Sequence, residues 1–193
     1  MMLKKFFKSF LGFAEQLLIT LFVTALAFTY IFRVVSVVGD SMCNTLKDGD
    51  RIIISMLDKK CESGDIVVVT PRNAVVSDGK GGLEYKEGLN KIVVKRVIAV
   101  AGQTVDIDFS AGIVTVDGKR IYEEYTQLGL THYDGGAFTG EYPVTVPDGY
   151  IFIMGDNRSV SLDSRSDKIG FVAVEDIVGT AIMKIYPEME FCS

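Results

Sequence analysis

The sequence predicts a mainly β protein in which one N-terminal transmembrane helix precedes a mostly antiparallel β-sheet or barrel-like domain. Three observations predict it. An apolar stretch of membrane length lies near the N-terminus. Beyond it the apolar residues fall into short β-branched runs bounded by Gly, Asp or Pro, the signature of strands. Asp117-Gly118, set between Val116 and Lys119, is a strong signal for a tight hairpin.

Residues 17–32 carry no charge, and the apolar pattern extends back through Phe13, Leu11 and Phe10 with Glu15 as the interruption. This meets the roughly 20 residues a spanning helix needs. Lys4, Lys5 and Lys8 precede the span, and a basic flank favours the cytoplasmic side. The expected division is therefore 1–33, a cytoplasmic basic tail and transmembrane anchor, and 34–193, a β domain outside the membrane. Ala25-Leu26-Ala27 also has the small-x-small form of a secretory cleavage site. The apolar run continues past it through Phe28, Tyr30, Ile31 and Phe32, which points to a retained anchor. Strand runs follow at 51–54, 65–69, 91–100, 112–116 and 150–153, with Gly-rich excursions at 77–90 and 127–142 and a short turn at Val174-Glu175-Asp176.

The 193 residues are 48% hydrophobic with a formal charge of −5, so one average domain plus an anchor fits, and nucleic acid is not an expected partner. Cys43, Cys61 and Cys192 have no metal-ligand spacing, so neither a zinc site nor a disulfide framework is indicated and no metal or cofactor is expected.

Three stretches carry chemistry. Ser41 lies in GDSMCNTLKDGD, directly beyond the anchor. A serine hydroxyl is a weak nucleophile until a base takes its proton, and most serines in such turns only cap the chain. The GxSxG elbow of α/β-hydrolases would need glycine at position 43, which is Cys43. The one histidine, His132, sits in a polar Gly-rich stretch and supports a histidine base poorly. Lys95 is the second candidate. Alternation puts Val93, Lys95, Val97 and Ala99 on one face and Val94, Arg96, Ile98 and Val100 on the other. Burial would lower the lysine pKa toward neutrality and make its amine a base, but on strand pattern alone the simpler reading is a snorkelling lysine on an edge strand. The third stretch, GDNRSVSLDSR at 155–165, packs Asp156, Arg158, Asp163 and Arg165 among serines. By itself it reads as a solvated, salt-bridged turn, and Asn157-Arg158-Ser159 matches a glycosylation sequon.

Together the three stretches resemble bacterial-type signal peptidase I, a membrane-anchored Ser-Lys serine protease. Its SMxPTLxxGD motif is matched by Ser41-Met42-Cys43-Asn44-Thr45-Leu46 and Gly49-Asp50, its KRVI motif by Lys95 to Ile98, and its GDNRxxSxDSR motif at every fixed position. The resemblance implies a catalytic pair, Ser41 and Lys95, with Ser161 orienting the amine and Asp163, Arg165 and Arg158 in support. It implies a substrate strand flanked by Val35, Val37, Val38 and Met42 on one side and Ile92, Val93 and Val94 on the other. The expected partners are signal peptides of secreted preproteins cut after Ala-x-Ala, and the bilayer, with the translocation machinery as a further candidate. Asn44 departs from the family's proline, which implies a looser turn after the nucleophile; Ala101 and Gln103 depart from a common proline and aspartate. Gly39 offers no side-chain hydroxyl to an oxyanion, which leaves the Ser41 amide and an unidentified second donor.

Two other readings use the same residues. A Ser-Lys self-cleaving regulator would cut only itself. A non-catalytic membrane-tethered β module would bind extended peptides without cutting them.

Overall fold

The structure, a computed structural model, describes residues 2–57, 59–122, 125–126, 131 and 135–192. His132 and most of the 127–134 stretch lie outside the described residues. The chain opens with α1 (Met2–Tyr30). Its apolar segment Phe7–Tyr30 has a mean hydropathy of 1.8 and its most apolar stretch is unburied, as a membrane-embedded helix would be; near its end Phe28 meets the Phe32 ring of the first strand. The helix ends earlier than the uncharged run: Phe32, a residue expected in the anchor, already pairs with Ser55 in a sheet.

Fourteen strands follow among the described residues. They are β1 (Phe32–Ser36), β2 (Arg51–Ser55), β3 (Ile66–Val69), β4 (Asn73–Ser77), β5 (Leu83–Glu87), β6 (Val93–Val100) and β7 (Thr104–Asp108). After these come β8 (Ile113–Val116), β9 (Lys119–Arg120), β10 (Val144–Thr145), β11 (Tyr150–Met154), β12 (Val172–Ala173), β13 (Ile177–Tyr186) and β14 (Glu190–Phe191). The main sheet runs β1-β2-β13-β3-β6-β11-β12, with β14 beside β13, and every pairing in it is antiparallel. A smaller sheet, β10-β7-β8-β9, and the hairpin β4-β5 complete the domain. A mainly β fold behind one apolar helix is thus the architecture, as the sequence predicts.

The Asp117-Gly118 hairpin forms as expected. Both residues have positive φ, 50° and 73°, the pair of left-handed positions a type I′ turn requires, and Val116 faces Lys119. Val174–Asp176 is a single 3-10 turn. The longest strand, β13, has no clear alternation in its sequence because its register shifts around Gly179 and again further on. A Cβ at Gly179 would sit 2.5 Å from the Ser55 carbonyl oxygen, so this crossing of β13 over β2 admits only glycine.

Three expectations are corrected by the core. β6 is a central strand, flanked by β3 and β11, and Lys95 is 2% exposed, so it is not a snorkelling edge lysine. Alternation holds from Val93 to Val97, but a bulge between Phe152 and Ile153 breaks it, and Ile98 and Ala99 enter the same apolar cluster around Phe138, Phe152 and Phe171. The 155–165 loop is likewise not a solvated turn: Asp156, Arg158, Asp163, Ser164 and Arg165 are all buried.

Candidate active site

Residues 37–50 form a closed loop whose neck is two main-chain bonds, Val37 N–H to the Asp50 carbonyl (2.8 Å) and Gly49 N–H to the Val37 carbonyl (3.0 Å). Asp48 accepts from the Gly39 N–H and Asp50 from the Lys47 N–H, which accounts for the acidic residues around Gly49. Met42 and Leu46 point down into a core cluster with Ile52, Ile54, Ile66 and Val68. That burial fixes the turn from below and leaves Ser41 at its upper surface, half-buried.

Lys95 reaches this turn from β6. Its Nζ lies 2.8 Å from Ser41 Oγ and donates to its neighbour's carbonyl, Val94 O, at 2.9 Å. Desolvation pushes the ammonium pKa down from 10.5 to about 8; Asp163 and Asp156 oppose the fall, and Arg165 adds to it. Roughly a tenth of the lysine is therefore neutral at pH 7, and its amine can accept the serine proton across a contact that already exists.

The 155–165 loop ties both residues down. Asn157 N–H donates to the Ser41 carbonyl (3.0 Å), and its Nδ2 donates to the Asp40 carbonyl (3.1 Å). Gly155 must be glycine: a Cβ there would lie 2.2 Å from Ser161 Oγ and 2.5 Å from Ser41 O. Arg165 grips Asp163 with Nε and Nη2, at 2.9 and 2.8 Å, and donates to the Arg158 carbonyl. Arg158 donates to the Gly155 carbonyl and Thr131 Oγ1. Burial by itself would raise the Asp163 carboxyl pKa, but the Arg165 charge and the bond from the Gly155 N–H hold it below the usual range. Ser161 is only 8% exposed, and its Oγ has no partner at full hydrogen-bond geometry; its electrostatic effect falls on Asp163, whose ionised form it favours. The expected Lys95–Ser161 contact is therefore not among the amine's bonds, which go to Ser41 and Val94.

A cleft of about 280 Å³ opens beside the pair, lined by Val35, Ser36, Val37, Val38, Ser41 and Met42 on one flank and by Ile92, Val93, Val94 and Lys95 on the other. All seven residues expected to flank a substrate meet here, with different exposures. Val38 (86% exposed) and Ile92 stand at the rim, while Val37 and Met42 are buried and form the floor. β1 is the edge of the main sheet, and β11 reaches β6 no further than Arg96, so both flanks present unpaired backbone to the cleft.

Sequence reasoning missed the group that locks the site from the other face of β6. Arg96 is 3% exposed and makes a two-pronged ion pair with Asp156, Nε–Oδ1 2.9 Å and Nη2–Oδ2 2.8 Å; Thr45 Oγ1 donates to the same carboxylate. Arg96 alternating with Lys95 in an apolar strand is the signal that could have found it.

The turn after Ser41 also differs from expectation. Asn44 is not a loosened proline position: its φ is +99°, which a proline ring cannot adopt, and its Nδ2 donates to the Tyr125 carbonyl at 3.2 Å. Asn44→Pro is expected to destabilise the protein by more than about 1 kcal/mol, whereas glycine at 44 keeps the backbone conformation. Thermal unfolding of the two variants checks this; an Asn44→Pro protein as stable as the parent would contradict it.

Comparison with known proteins places the chain in a family of peptidases. The family described as signal peptidase, peptidase S26, matches residues 10–186, and the chain belongs to that family. It is 36% identical over 152 residues to probable signal peptidase I-1 of Synechocystis, covering 77% of this chain and 68% of that protein. It is 30% identical over 198 residues to signal peptidase IB of Staphylococcus aureus, covering 92% and 93%. A crystal structure of a signal peptidase I from Enterococcus faecalis aligns with a TM-score of 0.43 at 25% identity, covering 62% of this chain and 95% of that one.

Proposed function

We propose that this chain is a signal peptidase I, a serine endopeptidase that removes signal peptides from exported preproteins with Ser41 as nucleophile and Lys95 as general base. The observation that carries the reading is the 2.8 Å contact between a buried lysine amine and a serine hydroxyl at the end of an open cleft. The anchor is α1, its basic N-terminal flank lies on the cytoplasmic side, and the β domain, 34–193, faces outward at the membrane surface.

In this mechanism the preprotein enters as an added strand between 35–38 and 92–94, its backbone bonded to the free edges of β1 and β6. The shallow apolar floor, Val37 and Met42, accepts alanine and excludes larger side chains near the cut. Neutral Lys95 takes the Ser41 proton as Oγ attacks the carbonyl carbon. The Ser41 main-chain N–H, for which no acceptor is found among the described residues, faces the developing oxyanion. Lys95 then gives its proton to the leaving amine, and an acyl-enzyme remains on Ser41. The Lys95 amine, neutral again, next takes a proton from water, whose oxygen attacks the ester, and passes that proton to the departing Ser41 Oγ as the signal peptide is freed. We assign Ser161, packed between Gly155 and Asp163, to hold the amine when Ser41 Oγ is acylated.

The test is cleavage of a preprotein bearing an Ala-x-Ala site by the full chain in detergent micelles. Cleavage after the final alanine is expected, with none by Ser41→Ala. Binding without cleavage would favour the tethered β module, and cleavage of the chain alone would favour the self-cleaving regulator.

A further inference from the structure

The Arg96–Asp156 pair joins three segments that the proposed chemistry depends on. Arg96 follows Lys95 in β6, and Asp156 belongs to the loop whose Asn157 holds the Ser41 carbonyl. Thr45, which donates to Asp156 and accepts from Arg96 Nη2 at 3.4 Å, belongs to the Ser41 turn. Nη1 of the same guanidinium donates to the Gly64 carbonyl at 2.8 Å. The separation of Ser41 and Lys95 is thus set by an ion pair on the opposite face of β6 from the amine.

One side chain closes this cluster. The Tyr125 ring lies 3.9 Å from the Arg96 guanidinium carbon, face on, within the range of a strong cation–π contact. The backbone of the same residue accepts the Asn44 Nδ2 hydrogen bond. Asn44 is three residues after Ser41 and holds its left-handed turn. Tyr125 therefore touches the nucleophile turn through its carbonyl and the lysine-bearing strand through its ring, while it is absent from the cleft lining. Arg96 keeps its 3% exposure under that ring. With the ring removed, water reaches the guanidinium, the ion pair is screened, and the three segments are free to shift relative to one another.

We infer that Tyr125 is a positioning residue for the reaction: it clamps the Ser41 turn to β6 by stacking on Arg96 and accepting from Asn44, and so holds serine and lysine at bonding distance. This rests on the reading of Ser41 and Lys95 as the reacting pair. A clamp of this kind acts on the chemical step and leaves the peptide cleft unchanged. Displacement of reacting groups by about 1 Å costs on the order of a hundredfold in rate, and partial release costs less.

The experiment is steady-state cleavage of an Ala-x-Ala preprotein by the full chain in micelles, well below its unfolding temperature. The variants are Tyr125→Leu, Tyr125→Phe, Asn44→Gly and the Tyr125→Leu/Asn44→Gly double variant. Tyr125→Leu is expected to lose kcat by roughly ten- to a hundredfold with KM unchanged. Tyr125→Phe, which keeps the ring on Arg96, is expected to stay within about twofold of the parent. Because the ring and the carbonyl of Tyr125 are the two ends of one clamp, and releasing either end disengages it, the double variant is expected to be no slower than the slower single one. Unchanged kcat in Tyr125→Leu, no rescue by phenylalanine, or losses that multiply in the double variant would each overturn the clamp. Ser41→Ala in the same assay separates this inference from the reading beneath it. An inactive Ser41→Ala beside a fully active Tyr125→Leu removes only the clamp, whereas an active Ser41→Ala removes the assignment of the nucleophile.

Discussion

Lys95→Ala is expected to lower kcat/KM by at least about a thousandfold, because it removes the group that takes the Ser41 proton and leaves no described side chain at bonding distance from Oγ. Lys95→Arg should fail equally, since a guanidinium stays protonated at any pH the protein survives. In the parent enzyme the rate should climb with pH through about 8, where the buried amine loses its proton. The same burial carries a stability signature of fixed sign. In the unfolded chain the lysine titrates at 10.5, and in the fold at about 8. Below pH 8 both states hold the proton and the folded one bears the full cost of a buried charge, about 3 kcal/mol. Between pH 8 and 10.5 the folded state has released the proton that the unfolded chain still binds, so stability rises and the cost disappears. Lys95→Met should therefore be inactive yet more stable than the parent at pH 7, by up to about 3 kcal/mol, with the gap closing toward pH 10.5. Thermal melts of the two proteins across that range check it; a parent more stable than Lys95→Met at pH 7 would refute the desolvated lysine.

Local signals in the sequence carry much of this arrangement, and the failures have definite causes. The strands at 51–54, 65–69 and 112–116 and the Asp117-Gly118 turn are legible because each obeys one local rule, β-branching between breakers or two left-handed turn positions. β13 is not legible because its core role depends on Gly179 passing the Ser55 carbonyl, a contact between residues over a hundred positions apart. β1 is hidden by the apolar run of α1, which gives no mark at Tyr30 where helix becomes strand. In the site, residue types and order point to Ser41 and Lys95, but the burial of Lys95 depends on its strand being central, and strand order is not written in any one strand. The charged loop shows the same limit. GDNRSVSLDSR reads as surface by composition, and only the pairing of Asp163 with Arg165 and of Asp156 with Arg96 makes its burial tolerable.

That pairing gives the second large effect. Arg165 is 1% exposed, and its Nε and Nη2 both donate to the Asp163 carboxylate, which is itself buried, while Nη2 also holds the Arg158 carbonyl. Arg165→Met leaves the Asp163 charge without its counter-ion, and removal of one partner of a buried pair costs about 3–5 kcal/mol. For a chain of this size that corresponds to a fall in Tm on the order of 10 °C. The pH dependence identifies the cause. In the parent, Asp163 titrates below the ordinary carboxylate range, so its contribution is complete above that range and is lost as acid protonates it in the fold. In Arg165→Met, burial, the largest influence on this carboxyl, is no longer opposed by the guanidinium, and its pKa should rise above the ordinary value. The variant should then be relieved by mild acid that leaves the parent's pair intact. Melting curves from pH 7 down to 4 should show the gap between the two proteins narrowing, and Arg165→Met/Asp163→Leu, which removes both charges, should recover part of the loss at pH 7. A gap that stays constant with pH, with no recovery in the double variant, would mean that Arg165 acts through packing and its bond to the Arg158 carbonyl rather than through the buried charge beneath the active site.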